Sequence, residues 1–200
     1  MCTRGEKEMS QNISKLLNAQ RVVEIPKDVT ITVDKSVKKI TVKGKNGTLE
    51  KSFPYVSTKL ELSDEGLAIW DDFPLKKKEK SMIGTIEGHV KNMIWGVQNG
   101  YTYKLKIIYS HFPITVTKAK NGVIITGQYG VKEKKLIPTH PDVKVDIKGE
   151  DIIITGIDIE KVSQSAARIQ ESTRLRGKRA KDSRVFQDGI YIFEKEIREK

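Results

Sequence analysis

Residues 31–53 read ITVDKSVKKITVKGKNGTLEKSF. Apolar residues alternate with polar ones at Ile31 and Val33 and again at Ile40 and Val42. A period of two places one set of side chains on one face and predicts strands. Lys45-Asn46-Gly47 joins the last two runs. Asn-Gly favours a tight hairpin because both residues tolerate positive φ. Residues 114–136 read ITVTKAKNGVIITGQYGVKEKKL. Ile31, Thr32 and Val33 match Ile114, Thr115 and Val116; Gly44 matches Gly127 and Gly47 matches Gly130. Each pair is 83 positions apart (114 − 31, 127 − 44, 130 − 47). A constant offset, with a helical pattern downstream of both copies, predicts a duplicated α+β unit.

Outward from these copies, further strands are predicted at 22–25, 59–73 (a hairpin turning at Asp64-Glu65-Gly66), 101–110, 143–149 and 151–157. The strands within the copies are 31–33, 38–44, 47–53, 114–119, 123–127 and 131–137. A helix is predicted over 81–97, from Ile83, Ile86, Val90, Met93, Ile94 and Val97 at three- and four-residue spacing. Ser81 is its expected N-cap, the charge run KKKEK (76–80) precedes it, and Asn99-Gly100 stops it. A second helix is predicted over 159–172, with Ile159, Val162, Ala166 and Ile169 on one side. The fold class is therefore α+β: two tandem similar units, each a small antiparallel sheet with an α-helix packed on it. The expected divisions are an extension at 1–20, units at 21–99 and 100–173, and a basic tail at 174–200. Ser10 would cap a short helix through Ala19 in the extension. Units of this size bury a limited share of their surface, so each is expected to lean on the other or on a partner.

Charge gives the first functional clue. The chain has 37 Lys and Arg against 26 Asp and Glu, a formal charge of +11, and a pI of about 9.6. That balance fits a nucleic-acid binder. Its strongest concentration is 168–184, RIQESTRLRGKRAKDSR, where seven positive residues face Glu171 and Asp182 alone. Arg168, Arg174, Arg176, Lys178, Arg179, Lys181 and Arg184 are candidate phosphate contacts. Lys104 and Lys106, interleaved with Tyr101, Tyr103 and Tyr109, are further RNA-binding candidates beside the bland reading of an ordinary strand with solvent-facing lysines.

Other chemistry finds no residues to rest on. Cys2 is the one cysteine, so no disulfide framework is available. His89, His111 and His140 are scattered and lack a partner at metal or triad spacing. Asp64-Glu65 and Asp71-Asp72 read as solvated turns rather than acid/base dyads. No GxGxxG follows a strand, no Walker loop is present, and Ser110 has no GxSxG elbow around it. No cofactor is expected. The strings GKNG (44–47) and GQYG (127–130) lie between strands and read as hairpin turns, not as the backbone clamp of a KH domain. Arg4, Glu6, Lys7 and Glu8 interrupt any leader-like apolar run, which makes the cytosol the default compartment.

Three strings carry a resemblance: HVKNMIWGV (89–97), GYTYKLKIIYSHFPITV (100–116) and RVFQDGIYIFEK (184–195). With KGKNGTL (43–49), they resemble the large-subunit ribosomal protein six family in its archaeal/eukaryotic branch. The last string is similar to that branch's C-terminal signature, with Arg184, Phe186, Asp188, Gly189, Ile190, Tyr191 and Lys195 in order. The resemblance implies a structural, non-catalytic protein that binds large-subunit ribosomal RNA, mainly through the second unit and the tail. It implies a place near the sarcin–ricin loop and the stalk base, where translational GTPases dock, with other large-subunit proteins as neighbours. Lys195 joins the RNA-binding candidates on this basis. Within the signature, Asp188-Gly189 is expected to form a turn aiming a strand at 190–193, with Phe186 and Tyr191 as packing residues. Two departures stand out: the extension at 1–20, and a longer, arginine-richer stretch between Gln170 and Arg184. The rival readings are a free RNA-binding module acting outside the ribosome, and a hydrolase or transferase assembled from distant residues.

Overall fold

The computed structural model describes residues 20–54, 58–63, 66–71, 76–131, 133–175, 182 and 184–196. Two units emerge, one ending at Asn99 and the other starting at Gly100.

In the first unit, β1 (Arg21–Val23), β6 (Gly66–Trp70) and β5 (Lys59–Ser63) form one antiparallel sheet in the order β1-β6-β5. A second sheet has the order β2-β3-β4, from Thr30–Asp34, Lys39–Gly44 and Gly47–Ser52. Helix α1 (Lys77–Gln98) packs against strands of both. The alternation seen in the sequence is the alternation of burial: Ile40 and Val42 are fully buried while Lys43 is exposed. Their strand packs against α1, on which Ile83, Ile86, Val90 and Val97 are each at most 2% exposed. Burying one such side chain contributes about 1.5–3 kcal/mol. Gly44 sits where α1 crosses β3; a Cβ there would lie 2.3 Å from a Val97 methyl.

The second unit repeats this topology. Sheet β8-β9-β10 (Thr115–Ala119, Gly122–Thr126, Lys135–Pro138) matches β2-β3-β4. Strands β11 (Lys144–Lys148), β12 (Asp151–Gly156) and β7 (Tyr101–Ile108) match β5, β6 and β1. Helix α2 (Ile159–Thr173) again packs against both sheets. One element has no counterpart among the described residues: β13 (Gly189–Glu196) adds to the outer edge of β7. Leu105, Ile125, Ile152, Ile154, Ile169 and Ile190 form the core, each at most 1% exposed.

The α+β class holds, with several local corrections. Each unit carries two small sheets beneath its helix rather than one. Helix α1 begins earlier than predicted: Lys76 is its N-cap, and Glu79, three residues on, reaches back to accept the Lys76 N–H at 2.7 Å. The charge run is thus the first turn of the helix, and Ser81 Oγ donates back to the Lys78 carbonyl instead of capping. Helix α2 starts at the Asp158 cap, whose carboxylate accepts the Glu160 N–H at 2.9 Å. Asp71 is 6% exposed, not a solvated turn residue. Asp64, Glu65, Asp72 and the expected helix from Ser10 to Ala19 lie outside the described residues.

The glycine strings also separate. GKNG is a tight hairpin, closed by the Gly44–Gly47 pair. GQYG is a 3-10 turn, with Gly127, Tyr129 and Gly130 at φ of 81°, 54° and 76°. Both strings nevertheless serve the same end of their unit's helix. The Asn46 N–H donates to the Val97 carbonyl and its side-chain amide to the Gln98 carbonyl, each at 3.0 Å. At the equivalent position (46 + 83 = 129), the Tyr129 hydroxyl donates to the Thr173 carbonyl. The last carbonyls of a helix have no partner within it, and these turns supply one.

Candidate nucleic-acid interface on the second unit

The C-terminal signature is built around a buried anion. The Asp188 side chain is 1% exposed. Its carboxylate accepts the N–H groups of Ser110 at 2.7 Å, His111 at 3.1 Å and Phe112 at 2.9 Å. His111 Nδ1 lies 3.3 Å from the same carboxylate. Burial alone raises the carboxyl pKa; the three backbone donors and His111 outweigh it, and the net direction is down. Asp188 is therefore an anchor rather than the expected turn residue. It binds the loop that follows β7 to the start of β13. The strand itself runs from Gly189 to Glu196, longer than predicted.

Two side chains of α2 cap the other edge of that strand. Ile190 N–H donates to Thr173 Oγ1 and Ile192 N–H to Gln170 Oε1, both at 3.1 Å. An edge strand with unsatisfied N–H groups invites unwanted pairing, and these bonds remove the opening. Phe186 packs between rings, stacked on His111 with centroids 5.0 Å apart and tilted against Tyr129 at 5.6 Å. Burial pushes the Tyr129 phenol up, so it remains a donor. Sequence reasoning found Phe186 and Asp188 but missed His111, Tyr129, Gln170 and Thr173. The single signal was the offset of 83 that pairs Tyr129 with Asn46.

The predicted cations fall into three groups. Arg168 on α2, Lys106 on β7 and Arg184 at the start of the signature are exposed and make no ion pair among the described residues. Lys104, Arg174 and Lys195 are engaged. Lys104 lies 3.0 Å from Glu194 and 3.2 Å from Glu196. Arg174 sits 3.4 Å from Glu171. Lys195 lies 5.8 Å over the Tyr103 ring. Arg176, Lys178, Arg179 and Lys181 lie outside the described residues.

Among the described residues, no group of three or more His, Cys, Asp or Glu could hold a metal ion. Among them too, no helix is long and apolar enough to cross a membrane.

Comparison with known proteins supplies the class. The family model "Ribosomal protein L6" matches residues 25–100. Relatives described as "Large ribosomal subunit protein uL6" match across both units. That of Aeropyrum pernix is 41% identical over 175 residues, 88% of this chain and 93% of the relative. That of Desulfurococcus amylolyticus is 42% identical, covering 92% and 98%. That of Archaeoglobus fulgidus is 39% identical, covering 96% and 97%. These matches, with the paired α+β units, define a structural ribosomal protein and not an enzyme. The chain belongs to the ribosomal protein L6 family, in its archaeal/eukaryotic branch.

Proposed function

We propose that the protein is a structural constituent of the large subunit of the cytosolic ribosome and binds large-subunit ribosomal RNA through its second unit. The observation that carries this reading is the match to large-subunit relatives over nearly the whole of both chains. The charge agrees with it: free cations on a chain of net charge +11 suit a polyanion. Arg168, Arg184 and Lys106 are the phosphate contacts among the described residues. Arg can grip two phosphate oxygens, where Lys acts as a point charge. Arg176, Lys178, Arg179 and Lys181 add to the same interaction from the basic stretch. Contacts of this kind read the shape and backbone of RNA rather than its sequence.

The site on the subunit is the region of the sarcin–ricin loop and the stalk base, beside neighbouring large-subunit proteins. There the protein supports the RNA against which translational GTPases dock. Three experiments test the reading. The tagged chain sediments with the large subunit at moderate salt; a slow free pool alone would favour a module acting outside the ribosome. Chemical probing of large-subunit RNA gives protections near the sarcin–ricin loop; protections confined elsewhere overturn the placement. Replacing Lys106, Arg168 and Arg184 with Gln weakens RNA binding and lowers the salt slope by roughly 0.7–0.9 per lost contact. An unchanged slope removes these residues from the interface.

A further inference from the structure

We propose that the His111 ring, backed by Phe186, is a stacking platform for an unpaired nucleobase of RNA, with Arg184 on the adjoining phosphate. The proposal rests on the reading that the second unit binds RNA. The His111 side chain is 55% exposed although one face lies flat on Phe186, with an interplanar angle of 15°. Phe186 is supported in turn by Tyr129. The backbone beneath is fixed, since the N–H groups of residues 110–112 end on the Asp188 carboxylate. Phe112, the next residue, packs against Gly130, its ring 3.2 Å from the position of a Cβ there. It remains 38% exposed, and Tyr109 46%.

The cation is placed by its own turn. Asp182 accepts the Arg184 N–H on its side chain at 2.9 Å, and its carbonyl accepts the N–H groups of Val185 and Phe186 at 3.0 and 2.9 Å. Arg184 thus enters the chain two residues from the backing ring, with no carboxylate partner among the described residues. A flat open ring, with an exposed arginine two residues from the ring that backs it, suits a base and its phosphate. Single-stranded loops and bulges offer such bases, and duplexes do not. A protein partner would favour an apolar concavity, which a half-exposed, flat imidazole is not.

The test uses the full chain and two probes: an RNA stem–loop with 2-aminopurine in its loop, and the same stem as a blunt duplex. The wild type binds the stem–loop more tightly and quenches the 2-aminopurine. His111→Ala binds the stem–loop roughly 5- to 150-fold more weakly, the range expected for one lost base–aromatic stack, and binds the duplex unchanged. His111→Trp keeps the quench. His111→Gln retains a polar side chain near Asp188 but no ring. It follows His111→Ala if stacking matters, and the wild type if it does not. Equal binding of both probes by the wild type without quenching overturns the platform and leaves the rings to a protein neighbour. Binding of neither probe overturns the RNA reading itself.

Discussion

Asp188 shows how one residue can hold two distant stretches together. Its carboxylate gathers three N–H donors from a loop 76 to 78 positions away. Hydrogen bonds to a buried charge contribute about 1.5–3 kcal/mol each, and a partner left unmatched is costly. Asp188→Asn removes the charge and turns one acceptor into a donor facing N–H groups. It should destabilise the second unit by about 2–4 kcal/mol, read as a lower urea midpoint with an unchanged slope. The sign with pH follows from the lowered pKa. A carboxyl held lower in the folded state contributes stability above the unfolded range of about 4, and loses it as pH falls through the folded value. Wild-type stability should therefore drop on acidification below about pH 4 more steeply than that of Asp188→Asn. Parallel pH profiles would refute the assignment.

At the scale of elements, the repeat was legible because alternation and spacing are local. Ile40 and Val42 announce a strand through their immediate neighbours, and Ile83 through Val97 announce a helix in the same way. The start of α1 was misread for a related reason. Lys76 is its N-cap, with its N–H held by the Glu79 side chain, while Ser81, the better capping residue by type, lies inside the helix. What joins elements was not legible. Nothing near Thr173 or Gln170 says that they will satisfy the edge of a strand beginning 16 residues after Thr173. The GxxG strings were recognised as turns, but their shared task at the helix end needed three dimensions. Thr173→Val tests the edge device. Its methyl group keeps the shape and loses the acceptor for Ile190 N–H. We expect a loss of about 1–2 kcal/mol and faster amide exchange at Ile190, with Gln170 still protecting Ile192. Unchanged protection at Ile190 would mean that the hydroxyl is dispensable.

Over the whole molecule, duplication produced two units of one topology and then an asymmetry. Strand β7 has eight residues where its counterpart β1 has three, and among the described residues only β7 carries a further strand on its outer side. Ile190 on that strand is completely buried, so β13 completes the second core as well as its sheet. A chain ending at residue 188 should leave the edge of β7 open and partition into the insoluble fraction, while one ending at 196 stays soluble. Equal solubility of the two would show that β13 is ornamental.

The capped strand also imposes an order in time. A polypeptide emerges N-terminus first, so β7 waits through more than 80 residues of synthesis for the neighbour that covers it (189 − 108 = 81). Until then the second unit is an unfinished sheet with an apolar border. A nascent chain that has not yet reached Glu196 therefore keeps that border open, and closing it comes late in the folding of the second unit.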